Sequence, residues 1–311
     1  MIDDAAAPPD SVAPSEGSVD TDDPIVVGLG RAIDPPGRAR RALAWPGTAV
    51  RRAGAWGIES WISLAIVVGC VSFVFVQLGP ANIFSSSTPA GGDMGAHVWG
   101  PAYLRDNLLP SLRLTGWTPD WYAGFPAFQF YMVLPSLAIA LLSFLIPYGV
   151  AFKLVAISGL LSLPVACWAF GRLTRLPFPG PPLLAVGATA FLFDRSFSIY
   201  GGNIASTMAG EFAFSISLSF AVLFLGVVGR GMENGKHRAL AAVLFALTML
   251  CHIIPGIFAI AGATVWFLVS LIRRSGVVTR LWWLVSAGLV GAALTAWWLL
   301  PFYLRSAYMN A

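Results

Sequence analysis

The sequence predicts an all-α protein that crosses a membrane several times as a helical bundle. Of its 311 residues, 57% are hydrophobic and only 11% are charged, and the mean hydropathy is +0.74. Eight apolar runs follow one another from residue 60 onward, and the links between the later ones carry arginine or lysine. This composition excludes a soluble domain of the same length and is typical of a polytopic membrane protein.

The first 58 residues differ from the rest of the chain. Residues 1–23 carry seven acidic and no basic side chains among Pro, Ala, Ser and Gly, whereas residues 31–52 carry six arginines. The acidic part cannot form a core, and the basic part is suited to lie beside a membrane surface. We therefore expect residues 1–58 to be a disordered cytosolic tail, and residues 59–311 to be a transmembrane domain that is truncated at its C-terminus.

The order of the apolar runs sets the topology. The runs cover residues 60–79, 128–147, 149–170, 181–197, 212–229, 239–253, 254–272 and 281–300. Basic links mark the cytoplasmic side, and they place residues 171–179, 229–238 and 273–280 inside. Residue 80, after the first crossing, would then lie outside and residue 171 inside, so an odd number of crossings must separate them. We expect residues 128–147 not to cross, which leaves seven crossings and a large first outer loop.

The first outer loop holds the first candidate site residues. Asp93 and His97 stand four positions apart, among glycines. Three aromatic candidates follow: Trp99, Trp121 and Tyr122. Glycines let a carboxylate approach a phosphate or metal closely, although Asp93 could also cap a helix. The aromatic residues could form an interfacial belt or stack on sugar rings. The spacing of apolar residues predicts an amphipathic helix over 99–114.

A second group of candidates lies further along the chain, on the same predicted face. Glu211 begins the run at 212–229 and could simply favour the helix dipole, or it could join Asp93 in holding a divalent cation, Mg²⁺ or Mn²⁺. Arg195 is a candidate phosphate contact. His252, at the outer corner before Pro255, could be structural or could contact a lipid-linked phosphate.

These residues resemble those of the GT-C superfamily of membrane glycosyltransferases. An aspartate in the first outer loop is similar to the catalytic aspartate of that superfamily, and residues 206–211 resemble the second-loop signature of the oligosaccharyltransferase catalytic subunit. The chain departs from that signature because Glu211 stands where two acidic residues are usual. The resemblance implies transfer of a sugar from a polyprenyl-phosphate donor on the outer side of the membrane.

The runs Gly91–Tyr131 and Phe197–Glu211 resemble, more closely, actinobacterial membrane proteins described as 6-pyruvoyl-tetrahydropterin synthase-related. This description does not imply pterin chemistry here. Pterin synthases use a three-histidine zinc site, and the histidines of this chain, His97, His237 and His252, lie on different segments. Members of the glycosyltransferase superfamily are much longer than this chain.

The expected function is a plasma-membrane glycosyltransferase with a cytosolic N-terminus that takes part in building the cell wall. Asp93 and His97 would be catalytic, and Asp93 and Glu211 would hold the cation. Trp99, Trp121, Tyr122, Arg195 and His252 would bind substrate. The partners would be a polyprenyl-phosphate sugar, a glycan or glycolipid acceptor and membrane lipid, without nucleic acid. The alternatives are a non-catalytic membrane scaffold and a transporter or flippase for lipid-linked substrates.

Overall fold

The computed structural model describes residues 57–121, 123–272 and 276–309, and this part of the chain is almost entirely helical. The acidic and basic tail over residues 1–56, the candidate Tyr122 and the first three residues of the predicted link at 273–280 lie outside the described residues. In chain order, helices α1 to α11 occupy Ile58–Gln77, Pro80–Ile83, Met94–Tyr103, Leu134–Leu142, Tyr148–Leu173, Gly180–Leu192, Ile204–Ser206, Phe212–Asn234, Arg238–Cys251, Ile253–Leu271 and Val277–Leu304.

Short irregular elements extend three of these helices. Helix α3 continues through a π-helical turn, Leu104–Leu108, and a 3₁₀ turn, Leu109–Ser111. A second π-helical turn, Thr207–Glu211, joins α7 to α8, and a 3₁₀ turn, Ser306–Tyr308, follows α11. Turns of the π type are rare and frequently occur at functional sites.

Five helical segments are long and apolar enough to cross a membrane, and they account for five of the seven predicted crossings. They are Ile58–Gln77, Tyr148–Leu173, Ile204–Asn234, Ile253–Leu271 and Val277–Leu304. The other two predicted crossings correspond to α6 and α9, apolar helices of 13 and 14 residues. At 1.5 Å per residue each is roughly 20 Å long, which is shorter than the hydrocarbon core.

The apolar run at 128–147 forms only the nine-residue helix α4. A helix of this length rises about 14 Å and cannot cross a bilayer. Lys153, at the start of α5, donates hydrogen bonds to the carbonyls of Asn82 and Ser85 at 2.6 and 2.8 Å. The segment after α1 and the start of α5 therefore lie at the same end of the bundle, as expected if residues 128–147 do not cross.

Helices α5 and α8 form the centre of the bundle and are largely buried, whereas most of the surface of α1, α10 and α11 is exposed, as it is for helices that face lipid. Gly159 of α5 lets the two central helices approach closely, because a Cβ atom there would lie 2.4 Å from the backbone nitrogen of Ile216. The hydroxyl of Ser219 donates to the Gly159 carbonyl at 3.1 Å. Small residues and hydroxyl hydrogen bonds are the usual means of packing helices within a membrane.

The first outer loop is folded and lies on the end of this bundle. Strands β1 (Gly116–Thr118) and β2 (Phe125–Ala127) pair as an antiparallel hairpin, with Trp117 opposite Pro126. The prediction of an amphipathic helix over 99–114 is wrong about where the helix begins and about what its apolar side contacts. It begins at Met94, and Leu104 and Leu108 are buried against the hairpin and α4. The apolar stripe therefore faces protein and supports the loop.

Candidate active site

Two segments separated by more than a hundred residues meet at one end of the bundle. The backbone nitrogen of Asp93 donates to the carbonyl of Ala209 at 2.8 Å. A Cβ atom at Gly92 would lie 2.3 Å from that same carbonyl oxygen. Gly210 has φ +135°, and a Cβ atom on it would lie 2.9 Å from Cβ of Asp93 and 3.3 Å from Nε2 of His97. Only glycine allows this approach, so the contact places Asp93 beside the residue that precedes Glu211.

The two carboxylates occupy equivalent positions. Asp93 directly precedes α3 and Glu211 directly precedes α8, and neither side chain accepts a capping hydrogen bond from its helix. The capping role that the sequence left open for Asp93 is therefore not the one its side chain takes. Among the described residues, the Asp93 carboxylate has no hydrogen bond or ion pair with a cationic side chain. Both carboxylates remain available to a ligand.

His97 lies one helical turn after Asp93, and its amide donates to the Asp93 carbonyl at 3.1 Å. Its Nε2 lies 3.4 Å from the hydroxyl of Tyr131, and its ring packs edge-on against Phe212, the first residue of α8. Burial lowers the pKa of His97, and the negative charge of Asp93 opposes this effect only in part. The imidazole is therefore neutral at pH 7 and can exchange a proton or a hydrogen bond, but it does not carry a positive charge.

Tyr131 belongs to the same group, although the sequence did not single it out. Partial desolvation raises the pKa of its phenol, and the charges of Glu211 and Asp93 raise it further. The indole nitrogen of Trp298 holds this segment, because it donates to the carbonyls of Tyr131 and Phe128 at 3.2 and 3.1 Å. The phenol is thus protonated at neutral pH and serves as a hydrogen-bond donor.

His252 completes the cluster from the corner between α9 and α10. Its Nδ1 accepts a hydrogen bond from the amide of Ile254 at 3.3 Å, so the proton of the neutral ring is assigned to Nε2. That nitrogen lies 3.7 Å from the Glu211 carboxylate. Burial lowers the pKa of His252 to about 4, and the ring packs against Phe214. At neutral pH this contact therefore joins a neutral donor to a carboxylate.

An aromatic cavity of about 190 Å³ opens next to His97. Trp99 forms one wall, with its ring 4.9 Å from that of Trp121 and 5.5 Å from that of Phe125. Asp120 fixes Trp99 by accepting a hydrogen bond from its indole nitrogen at 2.8 Å. The candidates Trp99 and Trp121 thus face one cavity with Tyr131, whereas Tyr122 lies outside the described residues.

A second, apolar cavity of about 410 Å³ lies between α4, α5, α8 and α9. Three of its lining residues are close in sequence to the cluster: Cys251 precedes His252, Pro135 follows Tyr131 by one turn, and Ile216 is one turn and a half beyond Glu211. The cavity therefore lies close to the polar cluster. Its walls are suited to a hydrocarbon chain.

Arg195 is the one described candidate that the structure does not join to the others. It is exposed in the loop between α6 and α7, where the side chain of Asn203 donates to the carbonyls of Asp194 and Phe197. In the part of the chain that the structure describes, no hydrogen bond or ion pair connects Arg195 with Asp93, His97, Glu211 or His252. The cluster therefore contains two carboxylates without a cationic partner.

The ligand set limits which metal the cluster could hold. No group of three or more His, Cys, Asp or Glu side chains with metal-binding geometry occurs among residues 57–121, 123–272 and 276–309. This set of ligands is unsuited to a structural zinc site, which needs four protein ligands. Mg²⁺ is bound through one or two carboxylates together with waters and substrate phosphates, and Asp93 and Glu211 fit that requirement.

The residues that the sequence did not single out are those whose role depends on the tertiary fold. Tyr131 stands at the edge of an apolar run, and Trp298 lies inside another. For Tyr131, the only signal in the sequence was its position, as an aromatic residue with a hydroxyl group, at the border of a run that does not cross the membrane. Nothing in the local sequence of Trp298 indicates that it holds residues 128–131.

Comparison with known proteins agrees with the helical membrane architecture. A family model described as a 6-pyruvoyl-tetrahydropterin synthase related domain, membrane protein, matches residues 128–309. The match includes Tyr131, Glu211 and His252, whereas Asp93, His97 and Trp99 precede it. No curated protein and no solved structure matches the chain. Because the match covers more than half of the sequence, the chain belongs to the 6-pyruvoyl-tetrahydropterin synthase related family of membrane proteins.

Proposed function

We propose that the protein is a membrane glycosyltransferase that moves a sugar from a polyprenyl-phosphate donor to an acceptor of the cell envelope. The observation that carries the proposal is the meeting of Asp93 with the Gly210–Glu211 segment between an aromatic and an apolar cavity. A lipid-linked sugar has three chemically distinct parts, and each has a matching surface. The pyranose or furanose ring suits the aromatic walls, the phosphate suits the polar cluster, and the isoprenoid chain suits the apolar cavity.

Asp93 is assigned as the general base. In this role it would accept the proton of the acceptor hydroxyl while that oxygen bonds to the anomeric carbon of the donor sugar. The bond between the anomeric carbon and the phosphate oxygen breaks, and polyprenyl phosphate leaves with the electron pair. Asp93 is suited to this role because its carboxylate is exposed and has no cationic partner among the described residues, and a base needs only hydrogen-bond reach and a suitable pKa.

His97, Tyr131 and His252 are assigned to the donor phosphate as neutral hydrogen-bond donors. The phenol of Tyr131 lies near both carboxylates, and the Nε2–H of His252 lies near that of Glu211. Donors that are already oriented stabilise charge that develops on a leaving oxygen. Arg195, on its exposed loop, is a further candidate contact to the phosphate.

A divalent cation, Mg²⁺ or Mn²⁺, would be held by Asp93 and Glu211 and would offset the charge of the leaving phosphate. Two neighbouring carboxylates without a cationic side chain favour such an ion. The acceptor would be a glycan or glycolipid. By the basic links, the site lies on the outer face of the plasma membrane with the N-terminus in the cytosol.

The test is a transfer assay on membranes that contain the full chain, supplied with radiolabelled polyprenyl-phosphate sugars and envelope extract. We expect transfer by the wild type and a loss on the order of 10² to 10³-fold in Asp93→Asn. Asp106→Asn is the matched control, because this carboxylate in the same loop is exposed and pairs only with the adjacent Arg105 at 2.7 Å. Full activity in Asp93→Asn would refute the catalytic role, and lipid movement without sugar transfer would favour a flippase.

A further inference from the structure

A second polar cluster lies at the opposite end of the bundle from the candidate active site. Glu233 stands near the end of α8, and its Oε2 lies 3.6 Å from Nη1 of Arg230 and 3.6 Å from Nη1 of Arg175. Arg280, in the first turn of α11, donates from Nη1 to the carbonyl of Ser270 at 3.0 Å. Arg175 and Arg230 thus lie near one carboxylate, and Arg280 lines a cavity together with it. We call these four residues the basic cluster.

Local contacts do not fully satisfy the basic cluster. Nη1 of Arg230 is buried and has no hydrogen-bond partner within the described residues. Its distance of 3.6 Å to Oε2 of Glu233 exceeds the range of a hydrogen bond. A buried, charged donor without an acceptor is costly and indicates a ligand or ion that supplies one. The missing group must accept hydrogen bonds and carry negative charge, because the arginines outnumber the carboxylate.

A cavity lies at Glu233, whose Oε2 is 3.6 Å from the unsatisfied Nη1 of Arg230. It has a volume of about 60 Å³, more than a single water molecule needs, and Glu233, Arg280 and Trp266 line it. Gly229 leaves it open, because a Cβ atom there would lie 3.3 Å from the ring of Trp266. Arginine guanidinium groups bind phosphate through paired hydrogen bonds, and this cavity has arginine on one side and an indole on another.

The position of the basic cluster identifies the source of the phosphate. Glu233 is the second-last residue of α8, Ser270 the second-last of α10, and Arg280 the fourth of α11, and all three helices belong to segments of membrane-spanning length. The cluster therefore lies at the depth of lipid headgroups. Basic pockets between membrane helices on the cytoplasmic side are suited to anionic headgroups.

We propose that the basic cluster binds the phosphate of an anionic phospholipid, with Arg230 and Arg280 as its main donors and Trp266 beside the headgroup. The site is separate from Asp93 and Glu211 and does not depend on the glycosyltransferase proposal. It would hold the ends of α5, α8, α10 and α11 together at one membrane surface.

The test measures lipid binding to the purified full chain in detergent, by native mass spectrometry and thermal unfolding. Phosphatidylglycerol and phosphatidylcholine with identical acyl chains are the probes, and inorganic phosphate is a third. We expect phosphatidylglycerol to bind several-fold more tightly than phosphatidylcholine and to raise the unfolding temperature. Arg230→Gln should weaken phosphatidylglycerol binding about fivefold or more.

Two further variants separate a specific site from general surface attraction. Arg175 is 63% exposed, so Arg175→Gln should fold normally and still weaken phosphatidylglycerol binding. Arg238→Gln removes the same charge from an exposed position at the start of α9, outside the basic cluster, and should leave binding unchanged. Equal losses in all three variants, equal binding of the two lipids, or the same stabilisation by inorganic phosphate alone would overturn the proposal.

Discussion

Gly210 decides, at the scale of single residues, whether the two carboxylates can meet. Its φ of +135° and its contact with Cβ of Asp93 leave no room for a side chain. The strain and the contact act together, because a larger residue would have to change the backbone and also push Asp93 away. The geometry of the cluster therefore requires a residue without a Cβ atom at position 210.

Gly210→Ala should lower sugar transfer by about 10²-fold, because displacement of a catalytic group by about 1 Å can cost that much. Gly91→Ala is the matched control. Gly91 also has a positive φ, +94°, but a Cβ atom there would have no neighbour within 4 Å. It carries similar backbone strain without a collision, so it should lower stability slightly and keep most activity. Equal activity in the two variants would contradict the proposed contact.

His252 makes stability depend on pH. Its folded-state pKa of about 4 lies below the usual 6.5, so between these values the unfolded chain binds a proton more readily than the folded one. Stability is complete above pH 6.5 and falls as the pH drops toward 4. From the size of the pKa shift, we expect roughly 2–3 kcal/mol less stability at pH 4.5 than at pH 7.5 from this residue.

The measurement is the free energy of unfolding in detergent at both pH values for the wild type and for His252→Asn. Asparagine does not titrate but can still cap α10, as Nδ1 of His252 does for the amide of Ile254. The variant should lose less stability than the wild type on acidification. An identical loss in the two proteins would show that other groups cause the pH dependence.

At the scale of elements, α11 fixes the wall of the aromatic cavity. Trp298 is 1% exposed, and its indole nitrogen bonds two carbonyls that lie some 170 residues earlier in the chain. These bonds set the position of Tyr131, which faces both His97 and the cavity. The last described helix thus contributes to the site without placing a side chain at the carboxylates.

Trp298→Phe should cost about 1–3 kcal/mol of stability, because two carbonyl oxygens lose their donor while the ring volume is largely kept. It should also raise the KM for the lipid-linked donor by moving Tyr131. Trp283→Phe is the matched control: Trp283 is equally buried and its indole nitrogen donates to the carbonyl of Lys236, far from the site. A KM increase of the same size in both variants would remove the special role of Trp298.

At the scale of the whole molecule, hydropathy and the basic links were sufficient to predict an all-α membrane bundle. The same rules indicated an odd number of crossings between residues 80 and 171, which is satisfied if residues 128–147 do not cross. The approach of Asp93 to the Glu211 segment followed from placing both on one membrane face. Local sequence could not predict the lengths of α6 and α9, which end earlier than their apolar runs.

The details of the site required tertiary contacts that a sequence pattern does not contain. Burial makes His97 and His252 neutral, which a sequence pattern does not reveal. Helix α3 begins at Met94, directly after the hydrogen bond between the amide of Asp93 and the carbonyl of Ala209. The charge of Arg195 indicates a contact to phosphate, whereas the structure leaves this residue exposed on a separate loop.

The whole account rests on Asp93 and Glu211 acting as one unit, and a double-mutant cycle in the transfer assay tests this most directly. Asp93→Asn and Glu211→Gln should each lower transfer on the order of 10² to 10³-fold. The double variant should be no less active than the weaker single variant, because groups that act together have non-additive effects. Losses that multiply in the double variant, or full activity in either single variant, would contradict a shared site.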